Sequence, residues 1–138
     1  MFNEIKNIHI FRIEKNQKLL EALNDYVLKN QIMAGYITAI GALKKVNVGY
    51  FINKKYIQNE AEGSFEIGSC NGIISLKEKI PFIHLHIVCQ NDRGETLCGH
   101  VLDGSIVFPT VEVIIFEFKN LFERKFDEET GLFLLNLK

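Results

Sequence analysis

The chain lacks an excess of either charge. Sixteen basic and seventeen acidic side chains give a formal net charge of -1, and only Arg12, Arg93 and Arg124 are arginines. Binding to DNA draws on clustered cations that displace counterions, so direct DNA binding is not expected without a partner. Long hydrophobic runs are missing too. The longest apolar stretches, such as Val111 to Phe118, are broken by a carboxylate within a few residues, whereas a bilayer helix needs about 20 apolar residues in succession; no membrane helix is expected. Cysteine is scarce: Cys70, Cys89 and Cys98 are odd in number and form no Cys-x-x-Cys. That argues against a disulfide framework and a thiolate zinc knuckle, and reduced thiols are the expectation. Neither G-x-G-x-x-G nor G-x-x-x-x-G-K-[ST] occurs, which disfavours a nucleotide fold. Met1 to Lys6 show no basic leader and no apolar stretch of signal-peptide length, so the expected location is the cytoplasm.

What is present is an ordinary globular mixture, 47% hydrophobic and 24% charged over 138 residues. That length fits a single domain spanning residues 1–138. Ile8, Ile10, Phe11 and Ile13 predict a first strand. Asn16 can then cap a helix with the stripe Leu19, Leu20, Leu23, Tyr26 and Val27, ending near Asn30. From Met33 onward β-branched and aromatic residues dominate, with turn signals at Gly41, Asn53-Lys54-Lys55, Gly63, Asn71-Gly72, Gly94, Gly104 and Gly131. One helix near the N-terminus followed by many strands predicts an α+β domain with a mostly antiparallel sheet.

The most informative stretch runs from Pro81 to Leu102. On a strand alternate residues share a face, so Phe82, His84, His86 and Val88 point one way while Ile83, Leu85, Ile87 and Cys89 point the other. A three-residue loop Asp92-Arg93-Gly94, with Gly94 in the left-handed position, pairs Asn91 with Glu95. Val88 then faces Cys98 and His86 faces His100, so His84, His86 and His100 converge on one face. Three imidazoles with a fourth position open suit zinc, nickel or iron. The alternatives are polar residues on the wet face of a hairpin and core histidines satisfied by hydrogen bonds, and a one-residue slip would move His100 to the opposite face.

Together with Phe11-Arg12-Ile13, Gly35 to Leu43, Phe65-Glu66-Ile67, Pro109 to Val113 and Thr130-Gly131-Leu132, these histidines make the chain resemble the plants-and-prokaryotes-conserved (PPC) domain family over nearly its whole length. The likeness is to the stand-alone prokaryotic relatives of the plant AT-hook nuclear-localized proteins. It implies a strongly bent sheet, a homotrimer, and a divalent transition metal, zinc first, on His84, His86 and His100. It also implies kinship with alpha-acetolactate decarboxylase, whose zinc site uses a His-x-His pair and a later histidine. Similar sequences have Gly-Gly-His where this chain has Cys98-Gly99-His100. Cys98 is therefore a fourth ligand, a redox-sensitive neighbour or a small buried side chain.

Glu66 and Glu112 stand inside apolar strands, where an unpaired charge is costly. Each is a candidate metal ligand or general acid-base group, or pairs with Arg12 or Arg124. Cys70 and Cys89 read as core residues, and the Lys44-Lys45 and Lys54-Lys55 pairs as solvated turn charges. Two functions follow. The first is a regulatory, ligand-sensing or DNA-associated metal-binding trimer, with a small-molecule ligand at the metal. The second is a metal-dependent enzyme, a lyase or hydrolase, acting on a small oxygenated metabolite. Whether the protein is an enzyme is left open by the residues.

Overall fold

Apolar and polar residues alternate along most of the chain. In the computed structural model, which describes residues 1–137, that alternation becomes β1 (Ile5–Glu14), α1 (Leu19–Lys29), β2 (Gly35–Ile52), β3 (Lys55–Lys77), β4 (Ile80–Asn91), β5 (Thr96–Val101), β6 (Ile106–Phe118), β7 (Glu123–Asp127) and β8 (Leu132–Asn136). The strands form one sheet in the order β1-β6-β2-β5-β4-β3-β7-β8, and β2 also pairs with β3. All pairings are antiparallel except β3 with β7. The pairs β2–β3, β3–β4, β4–β5 and β5–β2 close a circuit, and a circuit of strands exists only if the sheet curls onto itself.

The domain is thus mostly β, with one helix of 11 residues among the described residues as its second element, shorter and less prominent than the expected α+β domain with a main helix running to Asn30 near the N-terminus. The helix begins at Leu19, not at Asn16, because Asn16 is spent elsewhere. It adopts a left-handed φ of 70°, its N–H donates to Val107 O at 2.8 Å, and its Oδ1 accepts from Lys44 Nζ at 2.5 Å. Lys18 occupies the cap position without a side-chain bond. Leu19, Leu23 and Val27, four residues apart, form the buried stripe, and Asn30 ends the helix through its N–H to Tyr26 O.

Three expected turns lie inside strands. Gly41, Gly63 and Asn71-Gly72 belong to the 18-residue β2 and the 23-residue β3. These glycines serve the bending and close approach of long strands. The register shifts between Ala39 and Gly41, and a Cβ at Gly72 would stand 2.5 Å from His84 O. Real chain reversals fall at Asn53-Lys54 and Glu78-Lys79, all four with positive φ between 51° and 66°, the signature of type I′ hairpins.

Inside the curl sits one core, including Ile13, Leu23, Ile37, Leu43, Ile74, Ile87 and Ile115. Outside, the face of β1, β6 and β2 carries exposed Ile8, Ile10, Ile40 and Ile114. Among the described residues no helix is long and apolar enough to cross a membrane.

Candidate metal centre

The β4–β5 hairpin owes its register to its turn. Gly94 takes φ 80°, Asn91 N–H donates to Glu95 O at 3.0 Å, and Gly94 N–H donates to Asn91 O at 3.0 Å. Asn91 Oδ1 latches the loop by accepting from the N–H groups of Arg93 and Glu95, a bond the sequence reading did not name. Pairing then runs Gln90↔Thr96, Val88↔Cys98 and His86↔His100. Ile83, Leu85, Ile87 and Cys89 face the core, which leaves the histidines facing out of it.

Three imidazoles meet there. One nitrogen from each of His84, His86 and His100 lies within 4.8 Å of the others. His84 Nε2 and His86 Nε2 are 3.0 Å apart, and the His86 and His100 ring centres 4.2 Å apart. Burial, then the neighbouring His100, Arg124 and His86, pushes the His84 pKa down to about 4. Burial and His86 also lower that of His100. Both rings are therefore neutral at pH 7 and keep lone pairs for a cation. Zinc holds imidazole nitrogen at about 2.0–2.1 Å, so tetrahedral ligand nitrogens sit about 3.3 Å apart; the His84 and His86 nitrogens stand 3.0 Å apart, and all three lie within 4.8 Å. The residues fit a transition ion: three imidazoles form a borderline donor set.

A hollow of about 450 Å³ surrounds the cluster, lined by β2, β3, β4, β5, β7 and β8. Tyr56 meets His100 edge-on with ring centres 5.0 Å apart. Arg124, only 9% exposed, donates from Nε to Ser75 Oγ at 2.8 Å and from Nη1 to Phe133 O at 2.9 Å. Its Nη2 faces His84 Nδ1 at 3.4 Å. A guanidinium only donates, so this network assigns the lone pair to Nδ1 and the proton of neutral His84 to Nε2, facing His86. For neutral His84 to hold a cation through Nε2, its proton would sit on Nδ1 and Arg124 Nη2 would turn away from it.

Other sequence candidates lie elsewhere. Glu66 is exposed on β3 opposite Gln90, and Glu112 is exposed on β6 opposite Arg12. Neither joins the histidine group. Arg12 pairs with Glu14 at 2.5 Å, and Arg124 serves the hollow. Cys98 is exposed and outside the group, so it is not the small buried side chain considered for it; Cys70 and Cys89 are buried, and all three are free thiols. Among the described residues the buried carboxylate is Glu117, 4% exposed, accepting from Lys6 Nζ and Asn7 Nδ2, both at 2.7 Å, and lying 3.2 Å from His9 Nε2. Arg124, Lys77 and the aromatic walls escaped the sequence reading, because β7 reaches the hollow through a non-local parallel pairing with β3.

The curled sheet that carries the His-x-His and Gly-His strands recurs in known proteins. A family model of the Plants and Prokaryotes Conserved (PCC) domain matches residues 2–119. The chain belongs to this family. Solved relatives of the PPC domain superpose over almost its full length. A PPC protein from Pyrococcus horikoshii is 31% identical with TM-score 0.90, covering 98% of this chain and 94% of its own. A metal-containing protein from Archaeoglobus fulgidus is 30% identical with TM-score 0.88, covering 98% and 96%. A candidate DNA-binding protein from Bacteroides thetaiotaomicron is 25% identical with TM-score 0.89, covering 96% and 94%. No curated protein matches the sequence.

Proposed function

We propose that the protein is a cytoplasmic, homotrimeric PPC-domain protein that holds one divalent transition ion, zinc first, on His84, His86 and His100, and acts as a ligand-responsive regulator. The observation that carries this reading is the convergence of three imidazoles in a hollow with room beside them. When bound, the ion supplies a Lewis-acidic position open to a small molecule. The Archaeoglobus relative, described as metal-containing, supports the reading. The exposed isoleucines of β1, β6 and β2 support self-association, since an apolar sheet face is stable when covered. A DNA-associated role would pass through a partner. A second reading, a metal-dependent lyase or hydrolase, rests on Tyr56, whose phenol lines the hollow and offers a proton donor there.

The test is elemental analysis of protein purified without chelator, together with light scattering. One metal per chain is expected, lost in His86→Ala and in His100→Ala with circular dichroism unchanged, and a particle of three times 15.9 kDa. Protein that contains no metal and takes none up refutes the metal site, and a 15.9 kDa particle at micromolar concentration refutes the trimer.

A further inference from the structure

The hollow beside the histidines is unusual in its charge. Lys77 on β3 and Arg124 on β7 are register partners in the parallel pairing, so two cations stand side by side. Like charges directly opposed on a sheet repel, and a buried cation is costly unless paired. Yet none of the ion pairs among the described residues includes either one. No described residue lining the hollow carries a carboxylate. Arg124 spends Nε on a hydroxyl and one Nη1 proton on a carbonyl, which keeps other N–H groups in hand and leaves its charge unbalanced by any described carboxylate.

The remaining wall is aromatic. Lys77 Nζ lies 4.0 Å from the Phe133 ring centre and 5.4 Å from that of Phe82, and the Arg124 guanidinium carbon lies 5.5 Å from the same Phe82 ring. Phe51 and Tyr56, in edge contact at 5.0 Å, line the hollow as well. Two cations with no carboxylate partner among the described residues, and a ring of apolar surface, are complementary to one chemical class.

We propose that this hollow binds a small carboxylate with an aromatic or branched apolar body, its carboxylate held by Lys77 and Arg124 beside the three histidines and its body packed on Phe51, Phe82 and Phe133. This identifies the ligand class for the site proposed above and rests on that reading for the regulatory meaning of binding. The two cations and the rings belong to the chain whether or not a metal is present. A carboxylate supplies the missing negative charge and accepts hydrogen bonds from both partners, and the volume of about 450 Å³ suits a molecule the size of phenylacetate.

Isothermal titration calorimetry with phenylacetate, its neutral isostere phenylacetamide and inorganic phosphate tests the assignment, on protein whose metal content has been measured. Phenylacetate is expected to bind in a saturable way, phenylacetamide about tenfold more weakly or worse, and phosphate without the benefit of the aromatic wall, again about tenfold more weakly. Lys77→Met should cut phenylacetate affinity about tenfold with the fold intact. Arg124→Lys, which keeps the charge and loses the fork, should weaken it too, and serves where Arg124→Gln fails to fold. Chelated protein is run alongside. Binding that survives without metal and falls in Lys77→Met supports the carboxylate pocket even if the metal reading fails. Metal-loaded protein that ignores phenylacetate, or binds phenylacetamide or phosphate equally well, overturns the pocket while leaving the metal reading standing.

Discussion

Replacing Gly99 by alanine probes the seam that closes the strand circuit. β5 joins β2 through Val48↔Val101 and Gly49↔His100 alone, and Gly99 lies against that contact. A Cβ there would stand 2.6 Å from Gly49 O and 3.4 Å from Val48 Cβ. The first contact is with backbone, which no rotamer change relieves, so β5 must move off β2. Forcing one methyl into a closed contact costs about 1–3 kcal/mol, which for a chain of this length lowers the melting temperature by roughly 4–10 °C. Gly68→Ala is the internal control. Its Cβ would meet Val88 O at 3.7 Å, an ordinary contact, so the variant should melt at or slightly above the parent. Thermal unfolding followed by circular dichroism on both variants, with and without chelator, reads the difference. Gly99→Ala melting within a degree of the parent, or Gly68→Ala losing as much, refutes the close approach and with it the description of the seam.

Acid should destabilise the chelated protein in a defined window. The pKa of His84 is about 4 in the fold against about 6.5 when unfolded, and that of His100 is also lowered. The unfolded chain then binds more protons below pH 6.5, so stability present at pH 7 is lost as the pH falls from 6.5 toward 4; urea midpoints at pH 7, 5.5 and 4.5 should fall in order, and His84→Gln should flatten the slope. Glu117 adds a second, lower step. Burial raises its pKa, but hydrogen bonds from Lys6, Asn7 and His9 outweigh this and hold it below the ordinary 4.5, so Glu117→Gln should remove a loss confined to pH below 4.5. Duplex DNA should not be shifted at physiological salt in a gel assay. Arg12 is held by Glu14, Arg93 by Glu95, and Arg124 lies in the hollow, and a tight, steeply salt-dependent shift would contradict this.

The hairpin was legible in the sequence because everything that sets it is local. The Asp92-Arg93-Gly94 turn fixes the register, and the period of two then places His84, His86 and His100 without knowledge of the rest of the fold. Glu66 and Glu112 show the limit of the same pattern. Phe65-Glu66-Ile67 and Val111-Glu112-Val113 alternate in burial, so each carboxylate faces solvent, Glu112 with Arg12 opposite it across the β1–β6 pair. Reading them as charges inside apolar strands weighed composition over period. The helix start failed because Asn16 is bound by Lys44 and Val107, contacts across long separations. Arg124 and Lys77 meet only where β7 runs parallel to β3, and Glu117 becomes buried only once β1 lies against β6. Neither follows from any window of sequence.

Strand β4 divides its residues between two tasks. Ile83, Leu85, Ile87 and Cys89 hold the core, while His84 and His86 occupy the intervening positions and reach His100 across the hairpin. Packing and chemistry thus mutate independently. A lineage can exchange the imidazoles for other side chains without opening a cavity, and can recover them by point changes on an undisturbed scaffold. The fold is expected to persist where the three imidazoles are gone, and the presence of this sheet in a sequence says little about its chemistry until positions 84, 86 and 100 have been read.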